Sequence, residues 1–141
     1  MLFRSELGRQ GIALQMSLAA DLPPVRGDRI QLQQVLINLL VNAAEAMREV
    51  PLERRRLDVR AARELVDARP CAVVTVEDRG VGLGGLDPDR LFDAFYTTKP
   101  GGLGMGLSIS RSIVEGHGGR LWATANPKHG ATFHLALPGV A

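Results

Sequence analysis

The sequence predicts an α/β fold, a two-layer sandwich in which helices cover one face of a mixed, mostly antiparallel sheet. One observation is a long helical stretch, residues 28–47, that contains no glycine or proline. A second is a set of strand-like segments, most of them joined by short turns and interrupted by only one further helix. The length of 141 residues is that of one ordinary domain with a real core.

The first elements are a strand and the long helix. Residues 1–10 are expected to be the end of a preceding linker or helix, and residues 11–141 to be the domain itself. Residues 12–18 alternate as a half-buried strand does. Asp28 can cap the helix, with Gln31 three residues later to complete a capping box. Apart from one line of polar residues, apolar side chains occupy nearly all positions of this helix, so we expect it to be buried.

A line of polar residues, called the polar lane below, runs along one face of this apolar helix. Steps of three and four residues place its members on a single face. Buried amides need partners, so the two central asparagines either bond neighbouring backbone or bind a polar ligand. The helix alone leaves both readings open. The lane consists of Gln31, Gln34, Asn38, Asn42 and Glu45.

The rest of the chain alternates turns and glycine clusters with further elements. Glycine at a helix end followed by a new strand is a typical stop signal. The expected segments are a connector at 49–56, strands at 57–65 and 71–77 around a turn at 67–70, a short helix or two turns at 87–94, a helix at 107–115, and a hairpin of strands 120–125 and 131–137.

Composition excludes several function classes. The formal charge is +2, from 17 basic and 15 acidic residues, which is too small to indicate a nucleic-acid or membrane surface. The densest basic tract, residues 54–56, is expected to be a solvated loop. The one cysteine, Cys71, excludes a disulfide framework and is expected to be an inert core thiol. The three histidines lack metal-ligand spacing.

Targeting signals are also missing from the sequence. No apolar segment approaches the length of a membrane span, and no signal peptide opens the chain. We therefore expect a reducing, cytoplasmic setting. The abrupt start suggests a fragment of a longer protein.

A first glycine-rich stretch follows the strand 71–77. Gly80, Gly82 and Gly85 fit the pattern G-x-G-x-x-G, but Pro88 interrupts the helix that a dinucleotide site requires. Asp78 instead precedes the glycines at a strand end. A carboxylate there can accept a hydrogen bond from an exocyclic amine while a flat ring lies over the glycines. A plain glycine-rich turn is the alternative.

A second glycine-rich stretch, Gly102 to Gly106, leads directly into the helix at Leu107. Glycine amides at a helix N-terminus form an anion site suited to phosphate oxygens. The alternative is a flexible loop before a helix. The sequence lacks the signatures of a P-loop and of a protein kinase.

Together, these motifs resemble the sequence boxes of the sensor histidine kinases, in the same order and at similar spacing, over about residues 10–137. The implied fold is the Bergerat ATP-binding sandwich, and the implied ligand is ATP with Mg²⁺. Two further stretches, 95–99 and 107–110, resemble the nitrogen- and oxygen-sensing branch. The matching segments are 38–43 (N box), 78–82 (G1), 92–95 (F box), 102–107 (G2) and 130–133 (the glycine-threonine element).

The resemblance implies a role for each site residue. Asn42 would coordinate Mg²⁺ through its side-chain oxygen, and Asn38 would hold phosphate or metal-bound water. Asp78 would read the adenine amine, residues 92–105 would form the ATP lid, and Lys99 would reach the terminal phosphate. The implied catalytic residues are Asn38, Asn42 and Lys99. The implied ATP-binding residues are Asn38, Asn42, Asp78, Gly80, Gly82, Phe95, Lys99, Gly102, Gly104, Met105, Gly106, Leu107 and Thr132.

The resemblance also implies partners. The family's phosphoacceptor is a histidine on a separate dimerisation helix, and residues 1–10 contain none. We expect a dimerisation domain of the same parent and a downstream response regulator as partners, with no nucleic acid and no direct membrane contact. The isolated domain is expected to be a monomer that does not autophosphorylate. Many family members carry Lys or Arg in place of Glu45, so that contact is absent here or is supplied by Arg48 or Lys99.

Two alternative functions use the same fold. The gyrase-type, chaperone-type and mismatch-repair ATPases, and the serine kinases that share their fold, commonly have a glutamate four residues before the metal asparagine. Asn38 occupies that position here and cannot take a proton. A degenerate nucleotide-binding module that only regulates is the third reading.

Overall fold

The computed structural model describes residues 7–80, 82, 87–93, 106–127 and 129–140. Within this part of the chain, one five-stranded sheet packs against two long α-helices, and residues 7–9 are helical as well. Short 3-10 helices lie at Leu52–Arg54 and Pro88–Phe92. The main elements are β1 (Ala13–Leu18), α1 (Arg29–Ala46), β2 (Arg56–Val66), β3 (Arg69–Asp78), α2 (Gly106–Gly116), β4 (Arg120–Ala125) and β5 (Ala131–Pro138).

The strand order in the sheet is β1-β2-β3-β5-β4. β1 pairs with β2 in parallel, and the other neighbours are antiparallel. The predicted mixed, mostly antiparallel two-layer sandwich is therefore confirmed. Since β3 is the central strand, its last residue, Asp78, lies in the middle of the edge of the sheet that is formed by strand ends. The functional site is built around this edge.

The main core lies between the helices and one face of the sheet. Val35, Leu39 and Ala43, one stripe of α1, are fully buried, as is Val114 of α2. Side chains of alternate strand positions, such as Phe133, complete this cluster from the sheet. The predicted N-cap of α1 is also confirmed, because the Asp28 carboxylate accepts from the Gln31 backbone N–H at 3.0 Å.

The expectation that α1 is buried is wrong. Ile30, Ile37 and Val41 are 78%, 42% and 37% exposed. In a two-layer fold only the stripe that faces the sheet is covered, so an apolar helix can still expose its outer side. Among the described helices, none is long and apolar enough to cross a membrane.

The expectation of a solvated loop at residues 54–56 is wrong, because Arg54 ends a 3-10 helix, Arg56 begins β2, and Arg55 is bonded to backbone. The Arg55 guanidinium donates to three backbone carbonyl oxygens, those of Val50, Gln10 and Arg48, at 2.8, 2.8 and 2.7 Å. Two of these carbonyls follow the end of α1, where a cation is electrostatically favoured. Arg55 therefore joins the end of α1 to the segment before β1.

The predicted turn between β2 and β3 is shorter than expected. Asp67 and Ala68 form it alone, with positive φ values of 51° and 64°. Positive φ at both central residues matches the right-handed twist of a hairpin. Arg69 and Pro70 therefore already belong to β3.

Candidate functional site

The site begins with a buried carboxylate at the end of the central strand. Asp78 is only 2% exposed. Its Oδ1 accepts from the backbone N–H groups of Gly80 at 2.8 Å and Ala131 at 3.3 Å. Burial raises the pKa of Asp78 above its ordinary value, although these two N–H donors oppose the rise. Since both bonds go to Oδ1, Oδ2 is left as an acceptor for a ligand.

Three glycines let backbone segments close around Asp78. A side chain on Gly130, whose φ is +83°, would overlap the Asp78 carbonyl oxygen. A Cβ on Gly80 would lie 2.5 Å from the Ala46 carbonyl oxygen at the end of α1. Gly82, with φ of +77°, lies against Gly130. Gly80 and Gly82, which were predicted to let a flat ring approach, therefore bring β3, the β4–β5 turn and α1 together with Gly130.

Thr132 lies on the other side of the sheet from the Asp78 side chain. It pairs with Glu77, and successive strand residues point to opposite faces. Its hydroxyl donates to Asn126 Oδ1 at 2.7 Å, and Asn126 Nδ2 donates to the Asp78 carbonyl oxygen at 3.3 Å. Among the described residues, Asn126 thus links Thr132 to the backbone of Asp78. Asn126 was not among the site residues predicted from the sequence, although an asparagine before a proline at a strand end is a typical turn signal.

The two asparagines of α1 lie one turn apart and are both half-buried. Asn38 Nδ2 donates to Ser110 Oγ on α2 at 3.1 Å, and Asn38 Oδ1 accepts from Gln34 Nε2 at 3.3 Å. Asn42 precedes Ala46 by four residues, so it lies on the side of α1 that meets the glycines. Neither Gln34 nor Ser110 was singled out as a site residue from the sequence.

The predicted phosphate site coincides with the start of α2. Gly106 is the first residue of this helix, and there is open space where its Cβ would be. The first backbone N–H groups of a helix lack intrahelical partners and favour an anion. Leu107 is half-buried and packs against the core. The other predicted residues of this region lie outside the described residues: Phe95, Lys99, Gly102, Gly104 and Met105.

The 3-10 helix Pro88–Phe92, whose last residue is the first residue of the predicted lid, packs against α2. Phe92 is buried and packs edge-on against Phe133, with ring centroids 6.1 Å apart. The Arg111 guanidinium of α2 lies 4.5 Å above the Phe92 ring and 3.6 Å from Asp89 Oδ1. These contacts hold residue 92 beside the helix that begins at Gly106.

The donor chemistry limits how a metal could be bound. Within the described residues, no three His, Cys, Asp or Glu side chains form a metal-binding group. Mg²⁺ commonly takes one or two protein oxygens and completes its shell with substrate phosphates and water. The Asn42 side-chain oxygen fits that mode of binding.

Comparisons with known proteins agree with this geometry. Residues 27–141 match the family described as "Histidine kinase-, DNA gyrase B-, and HSP90-like ATPase". The chain is 46% identical over 132 residues to the sensor protein FixL of Bradyrhizobium diazoefficiens, covering 92% of this chain and 25% of FixL. It therefore spans about a quarter of the length of that curated relative.

Solved structures of histidine kinases are also similar to this chain. The nucleotide-free catalytic domain of the histidine kinase ThkA is 30% identical, with a TM-score of 0.79, over 98% of this chain and 86% of that one. ThkA in complex with the response regulator protein TrrA is 28% identical, with a TM-score of 0.77, over 99% of this chain and 37% of that one. The chain therefore belongs to the histidine kinase-, DNA gyrase B- and HSP90-like ATPase family, as an ATP-binding catalytic domain of the sensor histidine kinase type.

Proposed function

We propose that this chain binds ATP with Mg²⁺ and transfers the γ-phosphoryl group to a histidine on a dimerisation domain of its parent protein. The observation that carries the proposal is the buried Asp78 carboxylate, which has one oxygen left for a ligand beside the backbone of Gly80, Gly82 and Gly130. Adenine fits that surface, because its exocyclic amine at C6 can donate to the free carboxylate oxygen. Guanine has a carbonyl at C6 instead.

The phosphate end of ATP would lie between α1 and α2. The first backbone N–H groups of α2 would bind phosphate oxygens, and Asn42 would hold Mg²⁺ through its side-chain oxygen. A bound Mg²⁺ would neutralise charge on the phosphates. In the transfer, the bond between the γ-phosphorus and its bridging oxygen breaks, a bond to an imidazole nitrogen forms, and ADP leaves.

Hydrolysis is the weaker alternative. A general base must accept a proton from the attacking water, and the Asn38 amide cannot do so. Its Nδ2 is moreover committed to Ser110. We therefore favour phosphoryl transfer over the ATPase and serine-kinase readings, and transfer of labelled phosphate to a supplied dimerisation domain separates the kinase from a purely regulatory module.

The acceptor helix would bind in a groove beside α2. An imidazole that receives the γ-phosphoryl group must approach the start of this helix, because the phosphates are expected there. A groove of about 540 Å³ runs along α2 beside Gln31 in the first turn of α1, and Ile109 and Ile113 line it. Ile109 is 47% exposed in the first turn of α2. An apolar groove of this kind suits an amphipathic helix.

The remaining partners follow the same proposal. A response regulator would take the phosphoryl group from the histidine, as the ThkA complex with TrrA suggests by analogy. The reaction would take place in the cytoplasm, where ATP is abundant and a single free cysteine such as Cys71 stays reduced.

The groove can be tested with Ile109→Asp. A charge buried against an apolar helix is costly, so label transfer to a supplied dimerisation domain should fall at least about tenfold. Adenosine affinity should stay within about twofold of the parent, since the adenine site is untouched. Transfer is compared at saturating ATP, because the new carboxylate lies in the helix turn that is expected to face the phosphates. The matched control is Leu65→Asp on β2, a residue that is 73% exposed and remote from α2. Parent-like transfer by Ile109→Asp, or an equal loss in both variants, would rule out the groove as the docking site.

A further inference from the structure

Hydrogen bonds tie α1 and α2 together at two levels. At one end, the Asp28 backbone N–H donates to His117 Nε2 at 2.9 Å, and His117 Nδ1 bonds the Ile113 carbonyl oxygen at 2.8 Å. At the other level, Asn38 Nδ2 donates to Ser110 Oγ at 3.1 Å. The Ser110 bond is the one nearer to the start of α2.

Ser110 is a fully buried hydroxyl in the middle of a helix, at 0% exposure. A buried polar atom is costly unless it has a partner. Ser110 is four residues from Gly106, so it lies about 6 Å, or one turn, from the helix N-terminus. Any shift of Ser110 relative to α1 would therefore move the backbone N–H groups that are expected to face phosphate.

The same bond also fixes the orientation of Asn38. Its Oδ1 accepts from Gln34 and its Nδ2 donates to Ser110, so the amide plane is held from both sides. One N–H and one lone pair of this amide remain for a ligand. Without the Ser110 oxygen, a half-buried N–H loses its partner and the amide can rotate.

We infer that Ser110 is a positioning residue for the phosphate end of the nucleotide. By accepting from Asn38, it holds the N-terminus of α2 in register with the turn of α1 that carries Asn42. His117 fixes the far ends of the helices, so α2 can pivot about that contact when the Ser110 bond is lost. This inference rests on the proposed binding of ATP between the two helices.

The test compares ATP with adenosine, which lacks the phosphates. In Ser110→Ala, ATP affinity with Mg²⁺ should fall about fivefold, which corresponds to about 1 kcal/mol, the usual net value of one hydrogen bond. Adenosine affinity should change less than twofold, because the contacts of Asp78 are not altered. Both are measured by competition against a fluorescent ATP analogue.

A double-mutant cycle separates positioning from general loosening of the fold. Asn38→Ala combined with Ser110→Ala should bind ATP no more weakly than Asn38→Ala alone, since the two act through one bond. The structural control is Val114→Ala, which opens a cavity at another fully buried position of α2 but removes no hydrogen bond. It should leave the ratio of ATP to adenosine affinity unchanged.

Equal losses for ATP and adenosine in Ser110→Ala, additive losses in the double variant, or the same ratio change in Val114→Ala would each overturn the inference. The outcomes also separate it from the proposed function. A parent chain that binds ATP but transfers no label refutes the transfer and leaves the Ser110 result standing. A parent chain that does not bind ATP refutes both.

Discussion

Replacing Asp78 with asparagine should abolish most ATP affinity while leaving the unliganded fold at least as stable. The amide oxygen can still accept from Gly80 and Ala131, which both bond Oδ1. The other oxygen becomes an NH₂ group that opposes the adenine amine, donor against donor. A hydrogen bond to a charged acceptor contributes about 1.5–3 kcal/mol, so Asp78→Asn should lose about ten- to a hundredfold in ATP affinity.

The difference in stability between the parent and the same variant should depend on pH. Burial raises the pKa of Asp78 in the folded state, so the fold binds this proton more tightly than the unfolded chain does. Its contribution therefore favours the fold at low pH and is lost as pH rises through the folded pKa. Thermal unfolding should show Asp78→Asn more stable than the parent at mildly alkaline pH, with the difference shrinking in acid. In the parent, ATP affinity should fall in acid as the carboxylate becomes protonated.

Base selectivity is the control on this interpretation. The parent should prefer ATP to GTP by at least about tenfold, because the guanine carbonyl would leave the carboxylate without a donor. Asp78→Asn should lose that preference. Asp58→Asn, which alters a β2 carboxylate paired with Arg56 and Arg79, should keep the parent's affinities. An Asp78→Asn protein that still selects ATP would contradict the assignment of Asp78 to the base.

Replacing Asn42 with alanine should remove the Mg²⁺ dependence of nucleotide binding. The change deletes a side-chain oxygen that is expected to bind the ion directly, and even outer partners of metal sites commonly contribute ten- to a hundredfold in affinity. Titration calorimetry with ADP should give the same affinity with and without Mg²⁺ in Asn42→Ala, while the parent binds more tightly with the ion. The neighbouring variant Val41→Ala should behave as the parent does. Parent-like Mg²⁺ dependence in Asn42→Ala would refute the assignment.

The elements and their order could be predicted because their signals are local. Asp28 and Gln31 mark the start of α1, alternation marks the strands, and glycines mark the end of α2. The position of Asp78 at a strand end beside glycines was likewise visible in a short stretch. Motifs of this kind need only neighbouring residues, so the family resemblance and the fold followed from the sequence.

The contacts that could not be predicted join residues that are distant in the chain. Asn38 meets Ser110 across 72 positions, and Arg55 reaches Gln10 across 45. The exposure of Ile37 depends on which elements cover α1, which apolar periodicity does not report. The face on which Thr132 lies depends on its pairing with Glu77, since a shift of one residue reverses every side chain.

One experiment separates a histidine kinase domain from a self-sufficient ATPase: phosphate release by the isolated chain is measured first, and label transfer is measured after a dimerisation domain from a related kinase is added. The isolated chain should bind ATP but release phosphate far below the ordinary kinase range, because the Asn38 amide cannot serve as a base and no acceptor is supplied. On addition of the partner, label should appear on its histidine as an acid-labile phosphate. Steady release by the isolated chain on the order of 1 s⁻¹, within the kinase range, or a partner that stays unlabelled, would contradict phosphoryl transfer to histidine as the function of this domain.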